Sequence, residues 1–148
     1  MIVREPVLVT FLHNPKAGGT SIKYWLAENF NARIPTIRER DPHSTDPSLV
    51  EGFSFCCIRN PWAKAYSTFE WLKRHGGGYL AKPYNNDFSK FIADLDNEDL
   101  KPFTNPQKDY VELSNYVMRY ENFENDFKVI QDYFDCDIDL PHKNNGRY

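Results

Sequence analysis

Three short apolar runs, separated by stretches of helical periodicity, organise the chain. Residues 7 to 13, VLVTFLH, are mostly apolar and rich in strand formers, the pattern of a strand buried in a parallel sheet. After a turn, Ile22, Trp25, Leu26 and Phe30 recur at helical spacing, with polar Asn29 on the same stripe, and predict a helix starting near Gly19. Residues 34 to 48 carry three prolines and many charges and read as loop. FSFCCI, residues 53 to 58, is a second buried strand. Asn60 then offers a helix N-cap and Pro61 a first helical position. Along that helix Trp62, Tyr66, Phe69 and Leu72 form the expected apolar side, and Gly76 to Gly78 end it. Residues 79 to 115 are less regular, with a short helix around 87 to 95. NYVMRY, 115 to 120, is a third strand, and Phe123, Phe127, Ile130 and Phe134 make the stripe of a final helix. The acidic surface from Glu124 to Asp139 is expected to be solvated.

Strands alternating with helices imply an α/β fold with a mainly parallel sheet flanked by helices. The chain has 148 residues, enough for one domain, 1–148, with a real core. Hydrophobic residues at 41% and aromatics at 16% argue against disorder. No apolar run approaches a membrane span and no signal-peptide core precedes the first strand, so the expectation is a soluble, cytoplasmic protein with no membrane partner. Cys56 and Cys57 are adjacent and point to opposite faces of their strand, so reduced core cysteines are expected. No cysteine or histidine spacing implies a metal.

Charge sharpens the picture. The net charge is −3, but residues 1 to 75 hold 10 Lys/Arg against 7 Asp/Glu, and residues 76 to 148 hold 8 against 14. The first half is therefore +3 and the second −6, a split that fits an anion site in the first half. It lacks the strong basic stripe of a nucleic-acid binder.

Two strand ends carry the candidate chemistry. In PKAGGTS, Gly18 and Gly19 permit close backbone approach, Thr20 and Ser21 add hydroxyls, and Lys16 adds a full charge at a helix N-terminus. Alone, this also fits an ordinary β–α turn with a solvated lysine. In RNPWAKAYS, Arg59 ends the second strand and Ser67 lies about two helical turns on. A helix N-terminus, an arginine fork and a serine are suited to a second phosphate. Singly, Arg59 also fits an ion pair and Ser67 a helix contact. Together, the two sites describe a ligand with two separated anionic groups.

These two motifs resemble the phosphosulfate-binding motifs of sulfotransferases, enzymes that use 3′-phosphoadenosine 5′-phosphosulfate as sulfuryl donor. The nearest likeness is the carbohydrate-type, heparan-sulfate 2-O-sulfotransferase-like branch, in short form. NPQKDYV (105–111), YVMRYENFENDF (116–127) and LPHKNNGRY (140–148) resemble later family segments in the same order. The resemblance implies a P-loop NTPase-like sulfotransferase fold and transfer of a sulfuryl group to an acceptor hydroxyl, that of a carbohydrate, without a metal. By the same resemblance Lys16 contacts the phosphosulfate and stabilises charge on the bridging oxygen. Ala17, Gly18, Gly19, Thr20 and Ser21 bind the 5′-phosphate, and Arg59 and Ser67 bind the 3′-phosphate.

The transfer needs a base for the acceptor proton. His43, in the loop between the motifs, is the first candidate, Glu39 the second. His13 is expected to orient the loop, and His75 to be exposed. Trp25 and Trp62 are assigned to packing rather than adenine stacking. Glu121 and Asn122 match a family Glu-Asn step read as structural, and Lys143, Asn144 and Arg147 are candidates to close over the 3′-phosphate. Lys64 stands where the family has an arginine, and the chain stops where family members continue. A P-loop kinase or hydrolase is the first alternative, disfavoured because GxxxxGK[ST] is absent. A catalytically inactive nucleotide-binding protein of the same fold is the second.

Overall fold

The computed structural model describes residues 8–30, 43–75 and 78–141. Three strands, β1 (Val9–Leu12), β2 (Phe53–Ile58) and β3 (Tyr116–Arg119), pair side by side in that order, all parallel. Leu12 lies opposite Cys56, and Ile58 opposite Arg119, so all three strands end at one edge of the sheet. Helices α1 (Gly19–Asn29) and α2 (Pro61–Arg74) follow the first two strands. Then come α3 (Phe88–Ala93), α4 (Lys101–Thr104) and α5 (Gln107–Glu112), and α6 (Phe123–Phe134) follows β3. The protein is α/β, a parallel sheet flanked by helices.

Alternation along the strands divides the core. On one face Val9, Phe11, Phe55, Cys57 and Met118 pack against Ile22, Trp25 and Leu26 of α1 and Phe127, Ile130 and Phe134 of α6. On the other, Leu12 and Cys56 pack against Tyr110 of α5. Cys56 and Cys57 are thus buried, unpaired and on opposite faces, as strand pleating requires. Trp25 is fully buried and its indole N–H donates to the Ile138 carbonyl at 2.6 Å. A separate cluster joins Phe69 and Leu72 of α2 to Phe91 of α3 and Leu100.

The face of α2 differs from the one expected. Trp62 is 68% exposed and Tyr66 45%, whereas Lys64, Ser67, Thr68, Phe69 and Leu72 are buried. Polar side chains turn inward here because they have partners. Lys64 Nζ donates to the Phe103 carbonyl at 2.8 Å, and Thr68 Oγ1 to the Lys64 carbonyl at 2.9 Å. Burial pulls the Lys64 ammonium down to about 8. The acidic surface of α6 also departs from expectation at one position. Asp126 accepts from the Arg119 backbone N–H (2.8 Å) and guanidinium (Nε, 3.2 Å) and from Asn122 (2.8 Å), and its side chain is only 12% exposed. Among the described residues no helix is long and apolar enough to cross a membrane.

Candidate functional site at the sheet edge

Parallel strands that end together bring their following loops together, and here those loops hold the two anion motifs. The turn after β1 is tightly wound, with Lys16 at φ 62° and Gly18 at φ 78°. Lys16 is the costly member, since side chains rarely adopt that conformation. Gly18 and Gly19 have packing reasons of their own. A β-carbon on Gly19 would lie 2.0 Å from the His13 ring, and one on Gly18 would lie 2.7 Å from the Phe123 ring. Both glycines therefore seat protein side chains.

The two helix N-termini are unlike. The first turn of α1 has no side-chain cap and no acidic residue. That of α2 is saturated: Asn60 Oδ1 accepts from the N–H groups of Trp62 (3.0 Å) and Ala63 (3.1 Å), its carbonyl accepts from Lys64, and Pro61 has no N–H. Glu121 accepts the Asn60 N–H itself. The expected use of the α2 N-terminus for a second anion is corrected accordingly, because every early donor is taken. The Glu-Asn step after β3 thus links that strand to α2 through Glu121 and braces α6 through Asn122 and Asp126.

Arg59 joins the two motifs. Its Nη1 donates to the Lys16 carbonyl at 3.0 Å, and its guanidinium lies 4.2 Å from the centroid of the Tyr120 ring. Three buried side-chain atoms find no hydrogen-bond partner among the described residues: His13 Nδ1, Asn14 Oδ1 and Arg59 Nε. All three belong to residues at this edge. Lys16 Nζ lies 5.9 Å from the centroid of Trp71 on α2. Trp71 in turn packs on Phe103 and stacks on exposed His75.

His43 comes to the same edge. Its ring meets that of His13 edge-on at 4.7 Å, and Tyr110 donates to its carbonyl at 2.9 Å. His43 Nδ1 is 2.9 Å from the His13 carbonyl. A carbonyl can only accept, so Nδ1 carries the hydrogen and Nε2 of the neutral ring carries the lone pair. Burial first, then the charges of His43, Lys23 and Lys16, lower the His13 pKa to about 3, so His13 is a neutral ring wedged against Gly19.

Lys16, Ala17, Gly18, Gly19, Arg59 and His43 are therefore gathered at one edge, with Thr20 and Ser21 in the first turn of α1. Ser67 differs: it is 1% exposed on the inner face of α2. Glu39, Lys143, Asn144 and Arg147 lie outside the described residues. Sequence reasoning missed Asn14, Gln107, Tyr120 and Trp71. Asn14 directly precedes PKAGGTS and Gln107 sits inside NPQKDYV, so their positions were visible but their pairing was not. Among the described residues no group of three His, Cys, Asp or Glu side chains is placed to hold a metal ion.

No family model matches the chain, and no solved structure gives a significant match. Over 86 residues, covering 55% of this chain and 68% of the relative, it is 32% identical to an uncharacterized protein of Archaeoglobus fulgidus. The chain belongs to that protein's family. Kinship to an uncharacterized archaeal relative brings no activity with it.

Proposed function

We propose that the protein is a sulfotransferase of the carbohydrate type, built on a P-loop NTPase-like sulfotransferase fold. It moves a sulfuryl group from 3′-phosphoadenosine 5′-phosphosulfate to an acceptor hydroxyl of a carbohydrate. The observation that carries this reading is the bond from Arg59 to the Lys16 carbonyl, which makes one site of two motifs, beside an Arg59 Nε that is buried with no partner among the described residues. Open α/β sheets bind ligands beyond the carboxyl ends of their strands, which is where this site lies.

In this reading the first turn of α1, uncapped by any side chain, receives the 5′-phosphate through Ala17 to Ser21. Arg59 takes the 3′-phosphate. Ser67 belongs to that grip by resemblance; at 1% exposure it reaches a phosphate only if the inner face of α2 opens, so Arg59 carries most of the recognition. Lys16 leaves the Trp71 face and sits against the bridging oxygen. The acceptor oxygen forms a bond to sulfur while the bond from sulfur to the bridging oxygen breaks, and adenosine 3′,5′-bisphosphate leaves. The acceptor proton passes to His43 Nε2, with the His13 carbonyl holding Nδ1–H and so fixing the tautomer. Catalysis of this kind rests on positioning and on charge placed where charge develops.

Calorimetric titration with adenosine 3′,5′-bisphosphate and with ADP tests the donor assignment. Micromolar binding of the first and little of the second is expected. Equal, weak binding of both would overturn the assignment. Magnesium-dependent turnover of ATP would favour the kinase or hydrolase alternative, and bisphosphate binding without sulfuryl transfer would favour the inactive one.

A further inference from the structure

Arg59 is held from behind by one side chain. Gln107, the first residue of α5, accepts the Arg59 N–H at 2.8 Å and donates to the Arg59 carbonyl at 2.7 Å. Its carboxamide thus pairs both backbone groups of the residue that follows β2, as a neighbouring strand would. The same Gln107 Oε1 accepts from Asn14 Nδ2 at 2.8 Å, and Asn14 Nδ2 also donates to the Cys57 carbonyl at 3.0 Å. Asn14 is 1% exposed and sits two residues before Lys16. One carboxamide therefore ties the end of β1, the end of β2 and the start of α5 into a single knot beneath the guanidinium.

We propose that Gln107 is the positioning residue of the anion site, fixing the Arg59 backbone, and through Asn14 the base of the Lys16 loop, so that the guanidinium meets a 3′-phosphate. The inference rests on the donor reading above. A purely structural tether would lower stability and weaken every nucleotide alike. A positioning residue instead changes the choice between nucleotides, because recognition by a charged fork depends on placement to within about 0.5 Å.

The experiment measures affinity for adenosine 3′,5′-bisphosphate and for AMP, which lacks the 3′-phosphate. The proteins are wild type, Arg59→Ala, Gln107→Leu and Ser54→Ala. Ser54, which donates to the Leu113 carbonyl near the start of β2, is a tether remote from Arg59 and serves as control. Wild type and Ser54→Ala should prefer the bisphosphate, and Gln107→Leu should lose about tenfold of that preference while still melting cooperatively. A folded Gln107→Leu with full preference would overturn the positioning role. If wild type itself shows no preference, the donor reading fails instead. Should Gln107→Leu not fold, Gln107→Glu decides. Its carboxylate keeps the acceptor but cannot donate to the Arg59 carbonyl, so preference should be reduced at pH 7 and recover towards pH 5 as the carboxyl protonates. Full preference at pH 7 would reject the proposal.

Discussion

At the scale of single residues, the site is organised by the neutral His13 ring as much as by cations. His13 occupies the space that a β-carbon on Gly19 would need, and its backbone carbonyl sets the tautomer of His43. Burial, and after it the charges of His43, Lys23 and Lys16, disfavour a protonated His13 ring, which is why its pKa falls to about 3. The unfolded chain protonates at the ordinary histidine value of about 6.5. Between these two values the unfolded state binds the extra proton, so this contribution to stability is complete above pH 6.5 and is lost as pH falls towards 3. Urea unfolding at steps from pH 7 to 4 should show declining stability for wild type and a flatter profile for His13→Asn. The window is separable from that of Asp126, whose carboxyl is held below its ordinary value and titrates lower. Equal slopes for the two proteins would mean that His13 titrates as an exposed residue does. None of this was legible in the sequence, where His13 and Gly19 are six positions apart and only the fold makes them touch.

At the scale of elements, α2 shows what periodicity can and cannot say. Asn60 and Pro61 marked its start correctly, because cap chemistry is local. The buried face was misplaced, because Trp62 and Tyr66 were counted as core while Lys64 and Thr68 were not. A buried polar residue becomes legible only when its partner is known, and the partner of Lys64 is a carbonyl 39 residues away. The same limit applies to the anion-binding role expected of this helix end. Its donors are consumed by Asn60 and by Glu121, a residue from beyond β3. Removing the cap tests this division of labour. Asn60→Ala should lower stability by about 1 kcal/mol, shifting the melting temperature by roughly 2–4 °C for a chain of this size. Affinity for adenosine 3′,5′-bisphosphate should be unchanged, since the anion is assigned to Arg59 and to α1. A loss of affinity as large as that of Arg59→Ala would return the α2 N-terminus to the site.

At the scale of the whole molecule, the strands and main helices followed from apolar runs and stripes, and their parallel order from the alternation of types. The edge where the site forms also followed, since parallel strands must end together. What did not follow was the knot beneath the site, because Asn14, Arg59 and Gln107 are joined only across the sheet. The charge split has a consequence at this scale. An approaching nucleotide carries several negative charges and meets a protein of net charge −3 whose first half is +3. The radius of gyration of a 148-residue domain is about 15 Å. At 0.01 M salt the screening length is about 30 Å, so the ligand feels the whole chain and is repelled. At 0.15 M it shrinks to about 8 Å, which hides the acidic second half while Lys16 and Arg59 still act at close range. Near 1 M, at about 3 Å, the local attraction is screened as well. Affinity for adenosine 3′,5′-bisphosphate should therefore pass through a maximum at intermediate ionic strength, as titrations from 0.01 to 1 M sodium chloride would show. A steady decline from the lowest salt would mean that the strand-end cations govern the field at every distance. A steady rise would mean that they do not contact the ligand at all.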